Sequence, residues 1–292
     1  VATVKPRPPH LSRASRAARP PAANRRGQAK EVTSVSNPVV KDMRALQLKK
    51  ERARTGLFLA EGLKLVTDGI AGDWPIRILT YAAKVKAQPK VLEAARLALD
   101  RGALVLEASD DVLEKISRRD NPQMVIGVFE QRVWTLDAID LARSTVWVAL
   151  EGIKDPGNLG TIIRTVDSVG ASGVILIGDT TDPFALEAVR ATMGSLFHVP
   201  IITVTPEAFL AWKAAKGVPM VATHLKGATD FRTLGLHEPM ILLMGNEQSG
   251  LPDHLADAAD HIAKIPMAGQ ADSLNLAVAT AIMLYELRRP ML

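Results

Sequence analysis

Three short segments in the C-terminal half combine residue types that bind and orient polar ligands, and each stands where an apolar run ends. The first is EGIKDPGNLGTIIR, residues 151–164. Pro156 and Gly157 turn the chain, and Asn158 can cap the helix that follows. Arg164 then comes about a turn and a half into that helix, among Ile162, Ile163 and Val166. A cation on so apolar a helix needs a partner or a task. It either pairs with Asp167 or Glu151 or holds an anion. The second segment, LLMGNEQSGLP at 242–252, runs a buried strand straight into Gly245, Asn246 and Glu247. Open α/β sheets bind ligands at the carboxyl ends of their strands, and a glycine there lets a flat ligand such as adenine approach the backbone. The third, IPMAGQADSLN at 265–275, leads into the last helix, with Asp272 or Ser273 as its N-cap and Asn275 in its first turn. Ser273 and Asn275 would thus lie where free backbone N–H groups converge. Taken singly, each segment is equally explained by a cap, a turn or an ion pair.

The elements that must position these segments alternate between strand and helix. In the second half, apolar runs at 146–150, 174–178, 220–223, 240–245 and 261–266 suit a parallel sheet covered on both faces. Helical patterns fill 159–169, 184–193, 206–215 and 273–289. The first half opens with one charged helix over 37–54, followed by strands at 57–60, 76–81, 103–107 and 124–130. Helices at 62–70, 89–101 and 110–117 lie between them, which predicts a smaller α/β module. The expected organisation is a basic, disordered, Pro-rich arm over 1–36, a first module over 37–130, a linker over 131–144 and a second module over 145–292.

Composition narrows the chemistry. The chain has 292 residues, 47% of them hydrophobic, enough for two cores, and no apolar run approaches the roughly 20 residues that span a bilayer. The absence of cysteine excludes disulfides, thiolate zinc sites and a cysteine nucleophile. The six histidines are scattered, with no H-x-x-x-H spacing, so no metal is expected. The net charge of +5 is an average over unlike parts. Residues 1–30 carry eight Lys/Arg and no acid, while residues 141–292 carry 11 basic and 15 acidic side chains. An arm of that kind is too polar to fold alone but can hold a polyanion through counterion release. Arg25, Arg26 and Lys30 of the arm, with Lys49, Lys50 and Arg52 of the charged helix, are the candidate contacts. A solubilising tail or an Arg-rich import signal are the alternatives, although five prolines leave little room for an amphipathic helix.

The order N-x-G-x-x-x-R, then G-N-E-x-x-G-L-P, then I-P-M-x-G-x-x-x-S-L-N resembles the three signature motifs of the SpoU (TrmH-like) family of RNA ribose 2′-O-methyltransferases, within the SPOUT superfamily. A fourth stretch, RATMGSLFHVP at 190–200, also matches, with Thr192 where the family has Ser and Ser195 where Ala is common. FLAEG at 58–62 and IGV at 126–128 resemble the family's substrate-binding domain. The resemblance implies an α/β fold: a C-terminal parallel-sheet domain with a deep trefoil knot, preceded by a small ribosomal-protein-like α/β domain. Periodicity predicts no knot, and general topology rules argue against one.

The resemblance also implies S-adenosyl-L-methionine as cofactor, held by Leu243, Met244, Gly245, Asn246 and Gly250 and by Ile265, Pro266, Met267, Ser273 and Leu274. It makes Arg164, Asn158, Glu247, Ser273 and Asn275 the catalytic set and adds Arg190 to the RNA contacts. A guanidinium stays protonated in proteins, so Arg164 suits a phosphate or a developing alkoxide better than the role of base. The implied partners are RNA and a second copy of the chain; Ala277 and Ala281, four apart, would allow close helix packing. The two-module architecture resembles family members that act on ribosomal rather than transfer RNA, and the resemblance implies a bacterial cytoplasm, with no membrane and no metal. The alternatives are a transfer-RNA enzyme and a silent RNA-binding or ribosome-assembly protein of the same fold. A dinucleotide-binding Rossmann fold would need a G-x-G-x-x-G turn after its first strand, and residues 151–156 read EGIKDP instead.

Overall fold

The computed structural model describes residues 27–117, 119, 121–224, 229–235 and 237–292. The expectations for Arg25, Arg26 and the arm before residue 27 lie outside the described residues. The chain divides into two compact units.

The first unit contains β1 (Gln28–Val32), α1 (Pro38–Ala45), α2 (Lys49–Thr55), β2 (Leu57–Glu61), α3 (Leu63–Ala71), β3 (Ile76–Ala82), α4 (Pro89–Asp100), β4 (Leu104–Ala108), α5 (Asp110–Ser117) and β5 (Val125–Glu130). Its sheet runs β1-β4-β3-β5-β2, with β1, β4 and β3 parallel and β5 antiparallel to both neighbours. Strand β1 corrects the expectation of a disordered arm to residue 36. Four of its five side chains are exposed, yet Gln28 to Val32 pair one for one with Leu104 to Ala108. A backbone ladder needs no apolar side chains, so composition could not show it.

The charged segment is two helices rather than one. Leu48 is extended, with φ −88° and ψ 129°, and separates α1 from α2. Arg52 explains how the break is tolerated. Its buried guanidinium donates from Nη1 to the Leu46 carbonyl at 2.9 Å and to the Gln47 carbonyl at 2.8 Å. These are acceptors that a continuous helix would have satisfied. Arg52 is therefore corrected from an RNA contact to a structural residue, whereas Lys30, Lys49 and Lys50 are exposed.

The second unit begins at Val133, inside the expected linker. Leu136, Ala138 and Ile139 are buried there, and Trp134 forms a bridge with Ile202, so this stretch packs instead of spanning freely. Next come β6 (Val146–Glu151), α6 (Pro156–Ser168), β7 (Gly173–Ile177), α7 (Leu186–Ala191), β8 (Ile201–Val204) and α8 (Pro206–Lys216). The chain continues through β9 (Met220–Thr223), β10 (Thr229–Asp230), β11 (Met240–Met244), α9 (Asp253–Ala256), β12 (His261–Lys264) and α10 (Leu276–Arg288). All seven strands are parallel, in the order β10-β12-β9-β11-β6-β7-β8. Every residue of β7 and β11 is buried, as continuous apolar runs in a covered parallel sheet require. Strand β8, an edge strand with Thr203 exposed, carries too short a run to be read from sequence.

Phe184–Phe197, which includes α7, groups by contact with the first unit, although the sequence reading places it wholly in the second module. Phe184 packs on Phe58 with ring centroids 5.0 Å apart, and Phe197 meets Trp74 edge-on at 5.2 Å. Arg190 donates from Nε to Glu61 Oε2 at 3.0 Å. That guanidinium is committed to a buried carboxylate, which corrects Arg190 as an RNA contact. Burial pushes the Glu61 carboxyl above its ordinary pKa, against the pull of Arg190. Among the described residues no helix is long and apolar enough to cross a membrane, and no group of three or more His, Cys, Asp or Glu could hold a metal ion.

Candidate active site

The first segment starts α6 one turn earlier than its sequence suggests. Asp155 is the N-cap: its Oδ1 accepts from the Asn158 N–H at 2.6 Å, and Pro156 occupies the first turn. The cap predicted for Asn158 thus belongs to Asp155, and the Asn158 side chain is free for other bonds. Its Nδ2 donates to Glu247 Oε1 at 3.2 Å, and its Oδ1 accepts from Asn275 Nδ2 at 3.0 Å.

The third segment corrects the same kind of expectation. Asn275, not Asp272 or Ser273, caps α10, with Oδ1 accepting from the N–H groups of Ala277 at 2.9 Å and Val278 at 3.2 Å. That commitment orients the whole relay. Because the oxygen of Asn275 faces the helix, its amide nitrogen faces Asn158, and the nitrogen of Asn158 must then face Glu247. The far end is also tied, since Glu247 Oε2 accepts from the Lys154 N–H at 3.4 Å. Lys154 Nζ is in turn held by Asp179, at 2.7 Å to both its carbonyl and its carboxylate. One line of hydrogen bonds therefore joins the three segments, which lie up to 117 residues apart in sequence.

The turn after β11 is organised by Asn246. Its Nδ2 donates to the Gly152 carbonyl at 2.6 Å, and its Oδ1 accepts from the N–H groups of Gln248 at 2.9 Å and Ser249 at 3.2 Å. Backbone bonds run both ways between Asn246 and Gly250 at 3.0 Å. A Cβ on Gly245 would lie 2.5 Å from Leu251 N and press on the Gly250 backbone. The close approach that requires a glycine at 245 is thus made by the chain itself. Glu151, at the end of β6, has its carboxyl pushed up by burial, with the charges of His254 and Lys154 pulling it back.

Arg164 and Ser273 stand apart from this relay. Arg164 is exposed on α6 and makes no ion pair or side-chain hydrogen bond among the described residues, so neither Asp167 nor Glu151 is its partner. Six positions along a helix also turn it about 120° away from Asn158. Ser273 is exposed and caps nothing. Lys154 and Asp155 are site residues that sequence reasoning missed, although an Asp directly before a helix-starting Pro is an N-cap signal.

The cofactor candidates flank β9. Strands β11 and β12 are its two neighbours, and both send their loops out at the carboxyl ends. Leu243 and Met244 are buried, and Gly245, Asn246, Gly250, Ile265 and Met267 are half-buried. Pro266, Ser273 and Leu274 are exposed. Residues 266–274 make no hydrogen bond among the described residues, so their peptide groups are open beside the apolar side chains of Ile265, Met267 and Leu274. Open backbone donors and acceptors next to apolar walls fit an adenine, whose faces are apolar and whose edge is polar. The residues present therefore fit S-adenosylmethionine.

Fold and site together define a class: a parallel-sheet α/β protein with a directed polar relay and, beside it in the fold, open peptide groups flanked by apolar side chains, both built from turns after strand carboxyl ends. Comparison with known proteins makes the class specific. Residues 145–285 match the SpoU rRNA Methylase family, and residues 37–127 match the MRM3-like substrate binding domain. The chain is 31% identical to the 23S rRNA (guanosine(2553)-2'-O)-methyltransferase of Bacillus subtilis, over 89% of this chain and 99% of that one. It is 32% identical to a 23S rRNA (uridine(2479)-2'-O)-methyltransferase of Streptomyces viridochromogenes, over 93% of this chain and 94% of that one. Among solved structures, an AdoMet-bound rRNA methyltransferase from Sinorhizobium meliloti superposes with a TM-score of 0.86 at 55% identity, covering 91% of this chain and all of that one. The chain belongs to the SpoU rRNA methylase family.

Proposed function

We propose that this chain transfers a methyl group from S-adenosylmethionine to a ribose 2′-hydroxyl of 23S-type ribosomal RNA. The observation that carries this reading is the Asn275–Asn158–Glu247 relay, which ties the catalytic segments of the family into one arrangement. The S. meliloti structure is AdoMet-bound, and the B. subtilis and S. viridochromogenes relatives are 23S rRNA 2'-O-methyltransferases. When bound, the cofactor supplies an electrophilic sulfonium methyl. The residues of the chain supply alignment, which contributes much of the barrier reduction in such a displacement. Gly245, Asn246, Ile265, Met267 and Leu274 would hold the adenosyl group. Glu247, fixed by Asn158 and Lys154, keeps free lone pairs on both oxygens and can accept a hydrogen bond from the ribose. Arg164, exposed on α6 and apart from the relay, would donate to an RNA phosphate.

The reading includes a deep trefoil knot and a homodimer. Strand β12 is separated from β6 by β9 and β11, yet the helix that follows β12 packs on α6, β6 and β11. Residues 265–275 must therefore carry the chain back over the sheet, which supports a threaded C-terminus. For the dimer, α10 presents an apolar stripe to solvent: Val278 is 48% and Tyr285 52% exposed, with Ala281 and Ile282 half-buried between them. Ala277 is buried and serves the protomer's own core, leaving Ala281 as the small residue available to a partner. The first unit, in this reading, is a ribosomal-protein-like module that captures RNA with Lys30, Lys49 and Lys50, aided by the basic arm, in the cytoplasm of a bacterium.

The test is to incubate the chain with labelled S-adenosylmethionine and total RNA from a strain lacking the gene, then map 2′-O-methylation. A single new site in large-subunit rRNA, lost with Asn158→Ala, is expected. Methylation of transfer RNA instead, or no cofactor binding by calorimetry at millimolar ligand, would overturn the reading.

A further inference from the structure

Phe184–Phe197 lies within the stretch that matches the methylase family, but its packing belongs to the first unit. The chain leaves the second unit after Pro183 and re-enters it at His198. Within the first unit this segment is anchored at several points. Trp74 Nε1 donates to the Phe197 carbonyl at 3.1 Å, and Lys64 Nζ donates to the Met193 carbonyl at 2.8 Å. The packing is close enough that a Cβ on Gly69 would lie 2.8 Å from the rings of both Phe129 and Phe197.

Among these anchors the Arg190–Glu61 pair is chemically unlike the rest. The Glu61 side chain has no exposed surface; its Oε2 takes Arg190 Nε and Nη2, and its Oε1 is buried without a hydrogen-bond partner. Burying this carboxylate is costly, and an apolar pair would give more adhesion for less desolvation. Rings in contact tolerate sliding, whereas a buried ion pair admits one arrangement, and fixing register is the best-attested use of such pairs. The rings around it already supply adhesion, so what the ion pair adds is geometry.

We propose that Arg190 is a positioning residue for RNA binding, whose pair with Glu61 fixes the register of Phe184–Phe197 in the core of the first unit, the unit that captures RNA. This rests on the functional reading above. Arg190→Met should raise KM for an rRNA substrate roughly tenfold, with kcat at saturating RNA and cofactor affinity nearly unchanged. Arg190→Lys, which keeps the charge, should recover most of that loss. The double variant Glu61→Gln/Arg190→Met separates positioning from stability, because it leaves no uncompensated buried charge and should regain most of the melting temperature lost in Arg190→Met. A KM that stays high in the double variant supports positioning. A KM that returns to the wild-type value with the melting temperature overturns it, as does an unchanged KM in Arg190→Met. No transfer to RNA by the wild-type chain would instead overturn the functional reading, and this proposal with it.

Discussion

Asn158 makes its contribution by having two ends. Its nitrogen must donate to Glu247 while its oxygen accepts from Asn275, and only an amide does both. Asn158→Asp keeps the shape but sets a carboxylate against Glu247 across a 3.2 Å contact. The repulsion should cost kcat roughly 100-fold, with the loss of one oriented polar group as the guide, and leave cofactor affinity within a few-fold. Single-turnover kinetics with calorimetry on the same protein would check both. Sequence reasoning selected Asn158, Glu247 and Asn275 from their motif order, but it could not link them. It also could not sort the arginines. Arg52 and Arg190 carry the same charge as Lys49 and Lys50, yet packing gives the arginines partners within the chain and leaves the lysines to solvent.

Among the elements, the two helix starts at the site show how far local chemistry reaches. Both α6 and α10 begin with a side-chain cap of the expected type, but at Asp155 and Asn275, each a few positions from the residue first assigned. Several Asp, Asn and Ser residues near a helix start can all cap it, and the backbone path arriving from the strand selects among them. The break between α1 and α2 is of the same kind, since no proline or glycine marks it and the Arg52 side chain, reaching back from α2, sustains it. Arg52→Ala should destabilise the chain by about 2–4 kcal/mol, because it removes two charge-assisted bonds and leaves the Leu46 and Gln47 carbonyls unpaired. Urea unfolding reads that loss, and RNA affinity should change less than about twofold under folded conditions. Replacing Lys49 and Lys50 with Ala should do the reverse: little change in stability, weaker RNA binding, and a salt dependence flattened by about two counterions.

At the scale of the whole molecule, the exposed apolar stripe of α10 is the feature on which the proposed dimer rests. Introducing charge there through Tyr285→Glu, half exposed and apart from the relay, should convert a dimer to a monomer and reduce methyl transfer with it. Sedimentation velocity checks this directly, and a wild-type chain that sediments as a monomer would contradict the dimer. The grouping of Phe184–Phe197 with the first unit belongs to the same scale. Module boundaries drawn along the chain follow covalent order, but cores follow packing, and Phe184 and Phe197 fill the core that holds Phe58 and Trp74.

The sequence by itself determined that the chain is α/β, that strands alternate with helices in two modules, and that the chemistry lies at the strand ends of the second. Those properties follow from apolar periodicity and turn residues, which act over a few positions. Tertiary structure alone decided that Asn275, Asn158 and Glu247 form one directed relay, that Gly245 is required by the chain's own return, and that Arg52 and Arg190 take partners within the chain. The relay and the Arg190 pair depend on partners many residues away, and Gly245 and Arg52 on a chain path that brings back residues five or six positions off; a buried polar group is fixed by the partner it finds there.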